Sequence, residues 1–179
     1  MNQPFDSSPA QPPIGNSQAN QMSGQIAQLT QQSQNSAKNF YWIAGLSFIN
    51  SIITAFGGEF YLVMGLGSTL FVDYFAVGMG LEAPEIAIVF TGIALVVSFI
   101  ASGIFALFGF LGAKGKSWAY IVGMVFYGID TLIMLALQEW KGLIIHLFFM
   151  YALFTGLRAL NQLKKFEPAR QTDFPQNIG

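Results

Sequence analysis

Hydrophobic and polar positions in this chain are segregated into blocks rather than interleaved. Residues 1–38 are almost wholly polar, rich in Gln, Asn and Ser, with Pro4, Pro9, Pro12 and Pro13 near the start. Such a stretch buries too little apolar surface to offset the entropy of ordering, and it reads as a disordered tail. Within it Met22, Ile26 and Leu29 fall at helical spacing, which allows a short Gln-rich helix running toward the membrane. Phe40 to Phe56 carries no charge and opens with the aromatics Phe40, Tyr41 and Trp42 behind Lys38. A cation and an aromatic belt at one end are the signature of an interfacial anchor, and the run is near the short limit for a membrane-spanning helix.

Gly57 and Gly58 break that run. Phe60 to Leu81 is apolar enough to span but holds Gly65, Gly67, Gly78, Gly80 and Asp73, so it reads as an interfacial or re-entrant helical piece, with a full span as the alternative. Glu82-Ala83-Pro84-Glu85 then looks like a helix start, since proline is tolerated in the first turn and acids suit the positive end of the helix dipole. Ile86 to Ala113 is uncharged and, at 1.5 Å per residue, about 40 Å long, so it should tilt or protrude. Lys114, Gly115 and Lys116 make a basic turn, and Ser117 to Leu137 is the next span, with Trp118 and Tyr120 at its entry and Asp130 inside. Gln138 to Lys141 form a second turn before Gly142 to Leu160, which carries His146 near its start and Arg158 at its exit.

This pattern predicts an all-α fold. A membrane bundle of four transmembrane helices occupies residues 39–165, with an extra interfacial or re-entrant segment. The disordered tail 1–38 precedes it and a polar C-terminal tail, 166–179, comes after it. Trp42, Trp118 and Trp140 all lie at predicted span ends, which supports the same boundaries.

Composition narrows the function. Of the 179 residues 53% are hydrophobic and 9% charged, far below the quarter or so of a soluble domain. Zero cysteines exclude thiol catalysis, thiolate metal sites and disulfides, and a single histidine makes a multi-histidine metal or haem site within one chain improbable. A net charge of −1 speaks against nucleic-acid binding. No cofactor is expected, and the lipid bilayer is the first partner.

Charge position then sets the expected topology. Four spans with both termini cytoplasmic place Lys38, Lys114, Lys116, Arg158, Lys164, Lys165 and Arg170 inside and Lys141 outside, as the positive-inside rule asks. The first residues lack a basic region followed by a short apolar core, so the first span is expected to act as an uncleaved insertion signal.

Small residues form stripes at four-residue spacing: Ser47, Ser51 and Ala55; Ala94, Ser98, Ser102 and Ala106; Ala152 and Gly156. Such faces let helix backbones approach closely in lipid, either within one bundle or between copies. Asp130 is the most informative single residue, because an acid inside a span costs roughly 2.5–3.5 kcal/mol and needs a partner or a wet cavity. The hairpin register sets it opposite Phe149, one turn from His146, and Asp73 reaches the same cavity if its segment dips into the bilayer. Tyr127 and Tyr151 are candidate hydroxyl donors. The cluster Asp73, Asp130 and His146 is therefore either a protonatable ligand or cation site or a polar clamp between helices. Asn50 reads as interhelical glue, and Ser47 or Ser51 with His146 lacks any motif that would position a catalytic dyad.

The stretch Asn39-Phe40-Tyr41-Trp42-Ile43-Ala44-Gly45-Leu46-Ser47, then Asn50-Ser51, resembles the opening of a family of small uncharacterised bacterial multi-pass membrane proteins. Gly65-Leu66-Gly67 before Asp73, Trp118-Ala119-Tyr120-Ile121-Val122-Gly123-Met124 before Asp130, and Arg158-Ala159-Leu160 continue the pattern in order. The resemblance covers roughly residues 39–163 and implies a bacterial membrane location without implying chemistry; the cytoplasmic membrane is the expected one. The expected role is non-enzymatic: an accessory or scaffold subunit in a homo-oligomer or a larger membrane complex. The alternative is a small oligomeric transporter or channel that uses Asp130, His146 and Asp73 for protons or cations.

Overall fold

A computed structural model describes residues 14–57 and 66–173 of the chain. Every element among them is helical: α1 (Ile14–Ala55), α2 (Gly67–Glu82), a single 3₁₀ turn (Pro84–Ile86), α3 (Ala87–Ala113), α4 (Ser117–Ala136) and α5 (Trp140–Asp173). Three helical stretches are long and apolar enough to cross a membrane: Pro84–Ala113, Ser117–Ala136 and Trp140–Phe166. Their exposed side chains are large and apolar, such as Ile88, Phe99, Leu132 and Phe148. That is a surface suited to lipid rather than water. Length and apolar surface together suggest a helical membrane protein.

The turns obey local chemistry. Gly115 takes φ +78° after α3, and the Lys116 N–H returns to the Leu111 carbonyl, closing the helix end with the residue that has no Cβ to clash. Gln138 sits at φ 59° after α4, where the Glu139 N–H reaches the Met134 carbonyl. The same closure is made there at a residue that tolerates it less well.

Two expectations about the tails need correction. Residues 14–38, expected as a disordered tail with at most a short helix, are the first part of α1, and α5 runs on through the expected polar C-terminal tail that begins at residue 166, to Asp173. Composition misled because glutamine is a good helix former and because these turns are partnered. The Tyr120 hydroxyl donates to the Ser33 carbonyl, and Ser36 and Ala37 are buried. At 1.5 Å per residue α1 is about 63 Å long, and Ile26 and Thr30 line one groove with Lys114 and Gly115, so the turns of α1 before Ile26 project beyond the α3–α4 turn as a stalk beside the end of α5. Residues 1–13, 58–65 and 174–179 lie outside the described residues, and with them the first part of the 60–81 segment.

The α1–α5 contact depends on Gly156. A Cβ there would meet the Ser36 Cβ and approach the Ser36 hydroxyl to 2.9 Å. The Ser36 Cβ is fixed to the backbone, so it cannot swing aside. Gly156→Ala is expected to cost about 1–3 kcal/mol through overpacking, read as a lowered unfolding midpoint in detergent.

At 16 residues α2 is shorter than the roughly 20 needed to cross a bilayer. It runs in the same direction as the end of α1, because Leu66 lies beside Ser47 and Asp73 beside Ser51. Leu66 therefore sits about two turns back along a helix that ends at Ala55. Against α3 it is antiparallel, with Asp73 near Ser98 and Gly80 near Ala87.

The core is aromatic. Phe40 is fully buried, with its ring centroid 6.2 Å from Phe105, 6.1 Å from Phe108 and 5.8 Å from Tyr120. It fits because Gly123 on α4 leaves room: a Cβ there would lie 2.6 Å from the tip of the Phe40 ring. This cluster fills the bundle between the basic end, marked by Lys38, Lys114 and Lys116, and the acidic end, marked by Glu82, Glu85 and Glu139.

Candidate buried polar site

The small-residue stripes turn inward. Ser47 and Ser51 of α1 and Ala94, Ser98 and Ser102 of α3 are buried, as is Gly156 of α5, while Ala55, Ala106 and Ala152 are half-buried. Their small side chains let α2 lie close to both α1 and α3, and the serines double as donors. The Ser47 hydroxyl accepts from the Leu66 N–H at 2.6 Å, and its own proton goes to the Ile43 carbonyl at 2.7 Å.

Asp130 joins three elements. Its Oδ2 accepts from the Gly67 N–H at 2.7 Å and its Oδ1 from the Ser68 N–H at 2.7 Å. The first N–H groups of any helix lack partners inside the helix, and a residue just before it usually supplies an oxygen. Here the preceding residue is Leu66, which has no side-chain oxygen to offer. The carboxylate from α4 fills that role and sits where the helix dipole favours negative charge.

The third partner is His146. Its Nε2 lies 2.8 Å from Asp130 Oδ2 and its Nδ1 lies 2.8 Å from the Gly142 carbonyl. A carbonyl only accepts, so Nδ1 carries a proton, and the Nε2–Oδ2 contact requires a second one. Whichever atom holds that second proton, the pair is neutral overall. Neutrality is what makes its burial tolerable, for the His146 side chain is 0% exposed and that of Asp130 3%. The Tyr127 ring stacks on the imidazole, with centroids 4.7 Å apart and planes 9° from parallel. Its hydroxyl has no hydrogen-bond partner among the described residues. Tyr127 therefore covers the pair as a flat ring rather than by donating to it.

Asp73 does not join this cluster. It lies nearly two turns further along α2, where its Oδ2 accepts from Ser51 at 2.6 Å and its Oδ1 faces Ser98 at 3.5 Å. The expected three-residue constellation is thus a pair plus a separate acid, because both α2 groups cannot reach α4 from one face of a rising helix. Tyr151 is exposed and contributes nothing to the site. Sequence reasoning missed the Gly67 and Ser68 amides, which carry no side-chain signature, and it missed Ser51 and Ser98 as partners of Asp73. The four-residue spacing of those serines was the available clue.

Among the described residues, no group of three or more acidic, histidine or cysteine side chains converges to hold a metal ion. Compared with known proteins, the chain matches no family model, and neither a curated protein nor a solved structure shows significant similarity to it.

Proposed function

We propose that this protein is a membrane-embedded accessory or scaffold subunit that presents a two-helix stalk to a partner. The observation that carries this reading is the stalk itself. The N-terminal turns of α1 leave the apolar body and lie beside the end of α5, and at their base Gln25, Gln28 and Gln32 are exposed near Gln162 and Lys165. A helix pair of this length contributes little to the bundle beyond the α3–α4 turn. It is well suited to recognition of another protein by amide hydrogen bonds.

In this reading the last turns of α1 form the fourth span and α2 is a re-entrant half-helix, with both termini on the cytoplasmic side of a bacterial cytoplasmic membrane. The positive-inside count supports that orientation. Asp130 and His146 act as a clamp that holds α2 in place, since every atom of the pair that needs a partner has one. The stripes are used up inside the chain, which leaves the stalk as the contact with other subunits.

The test is purification from native membranes in mild detergent with intact-complex mass spectrometry. A larger assembly is expected, and it should be lost in the double variant Gln28→Arg, Gln32→Arg while the unfolding midpoint stays unchanged. A monomer in the unmodified protein would count against the reading.

One observation favours the transporter alternative. Asp73 is buried, yet among the described residues it accepts only from hydroxyls, with neither a cation nor a backbone amide. Ion flux in proteoliposomes that disappears with Asp73→Asn would move the assignment to that class.

A further inference from the structure

At the acidic end a groove of about 280 Å³ opens between α2 and the α4–α5 turn. From its walls we infer that it is a binding site for a small organic cation with an apolar body, of the aryl-substituted quaternary ammonium type. This inference stands apart from the scaffold reading and survives its failure.

The walls are apolar and aromatic. Leu70, Phe71 and Tyr74 come from one face of α2, Met134 comes from the last turn of α4, and Leu137 caps it. Phe71 and Tyr74 are three residues apart, so they are neighbours on one face of the helix, each about half exposed. Glu139 stands in the same lining, with its side chain exposed and, among the described residues, no ion pair to it. Aliphatic walls, two aromatic side chains and a carboxylate with no ion pair among the described residues together select a cation with an apolar body. An anion would be repelled. A divalent metal needs several oxygen ligands, and one carboxylate does not supply them. A neutral lipid tail gains nothing from Glu139.

The floor explains why the groove is bounded. Met134 lies against both Gly67 and Gly142, where a Cβ would come within 3.1 Å of its sulfur or closer to its terminal methyl. The backbone of those two glycines carries the N–H that donates to Asp130 and the carbonyl that faces His146. A ligand seated in the groove therefore rests on a floor that the polar clamp holds rigid.

The experiment is equilibrium dialysis of benzyltrimethylammonium against the full chain in a neutral maltoside detergent. One saturable site is expected. Glu139→Gln should weaken it about tenfold, the loss of one charge-assisted contact, and Phe71→Leu about threefold, the loss of one cation–π face. Glu85→Gln, at the same end but outside the groove, should leave affinity unchanged. Both groove residues are exposed, and an unchanged unfolding midpoint would establish that the variants are folded. The inference is overturned by no saturable binding, by equal binding to Glu139→Gln, or by an equal loss in Glu85→Gln.

Discussion

Asp130→Leu is expected to destabilise the protein by about 3–5 kcal/mol, the range for breaking a buried ion pair from one side. Leucine matches the branching but leaves three groups stranded at once: the Gly67 and Ser68 N–H groups and His146 Nε2. In hydrocarbon none of them has water to turn to. Asp130→Asn is the informative companion. Its amide oxygen still accepts from one backbone N–H, but its NH₂ faces another donor, so the expected cost is smaller, about 1–3 kcal/mol. Thermal or SDS-induced unfolding in detergent measures both. If the leucine variant unfolds like the unmodified protein, the clamp assignment is wrong.

Phe40→Ala is the second large effect. Three rings surround Phe40 and the Gly123 backbone faces its tip, so truncation opens a cavity that the neighbours cannot fill without breaking their own contacts. Large-to-small changes at such positions cost about 3–5 kcal/mol in water-soluble cores. In a membrane part of that figure disappears, because lipid tails are as apolar as the core. The dispersion contacts are still lost, so about 3 kcal/mol is expected. Phe40→Leu should recover most of it. Unfolding midpoints across Phe40, Leu and Ala make the check, and an alanine variant as stable as the unmodified protein would show that the ring cluster does not hold the bundle.

What could be read in the sequence tracked the strength of each physical signal. The spans at 86–113 and 117–137 were legible because lipid demands unbroken apolar runs, and α3 and α4 match them closely. The Asp130–His146 contact was legible because a short turn fixes the register of two antiparallel helices. The order of residues 14–38 was not, since the Gln and Ser of a stalk and of a disordered tail look alike until a neighbour is present. Asp73 was misplaced for a related reason. Its pairing depends on where α2 begins along α1, and that is set by Asp130 reaching the Gly67 and Ser68 amides.

Biosynthesis must contend with the same capping arrangement. The oxygen that satisfies the start of α2 is encoded 63 residues after Gly67. At ribosomal speeds of roughly 5–20 residues per second, α2 waits roughly 3–13 s for its partner. During that interval its leading amides must be met by water or by the insertion machinery, and the segment cannot settle at its final depth. Its placement is a late event, made when α4 arrives and not when α2 emerges.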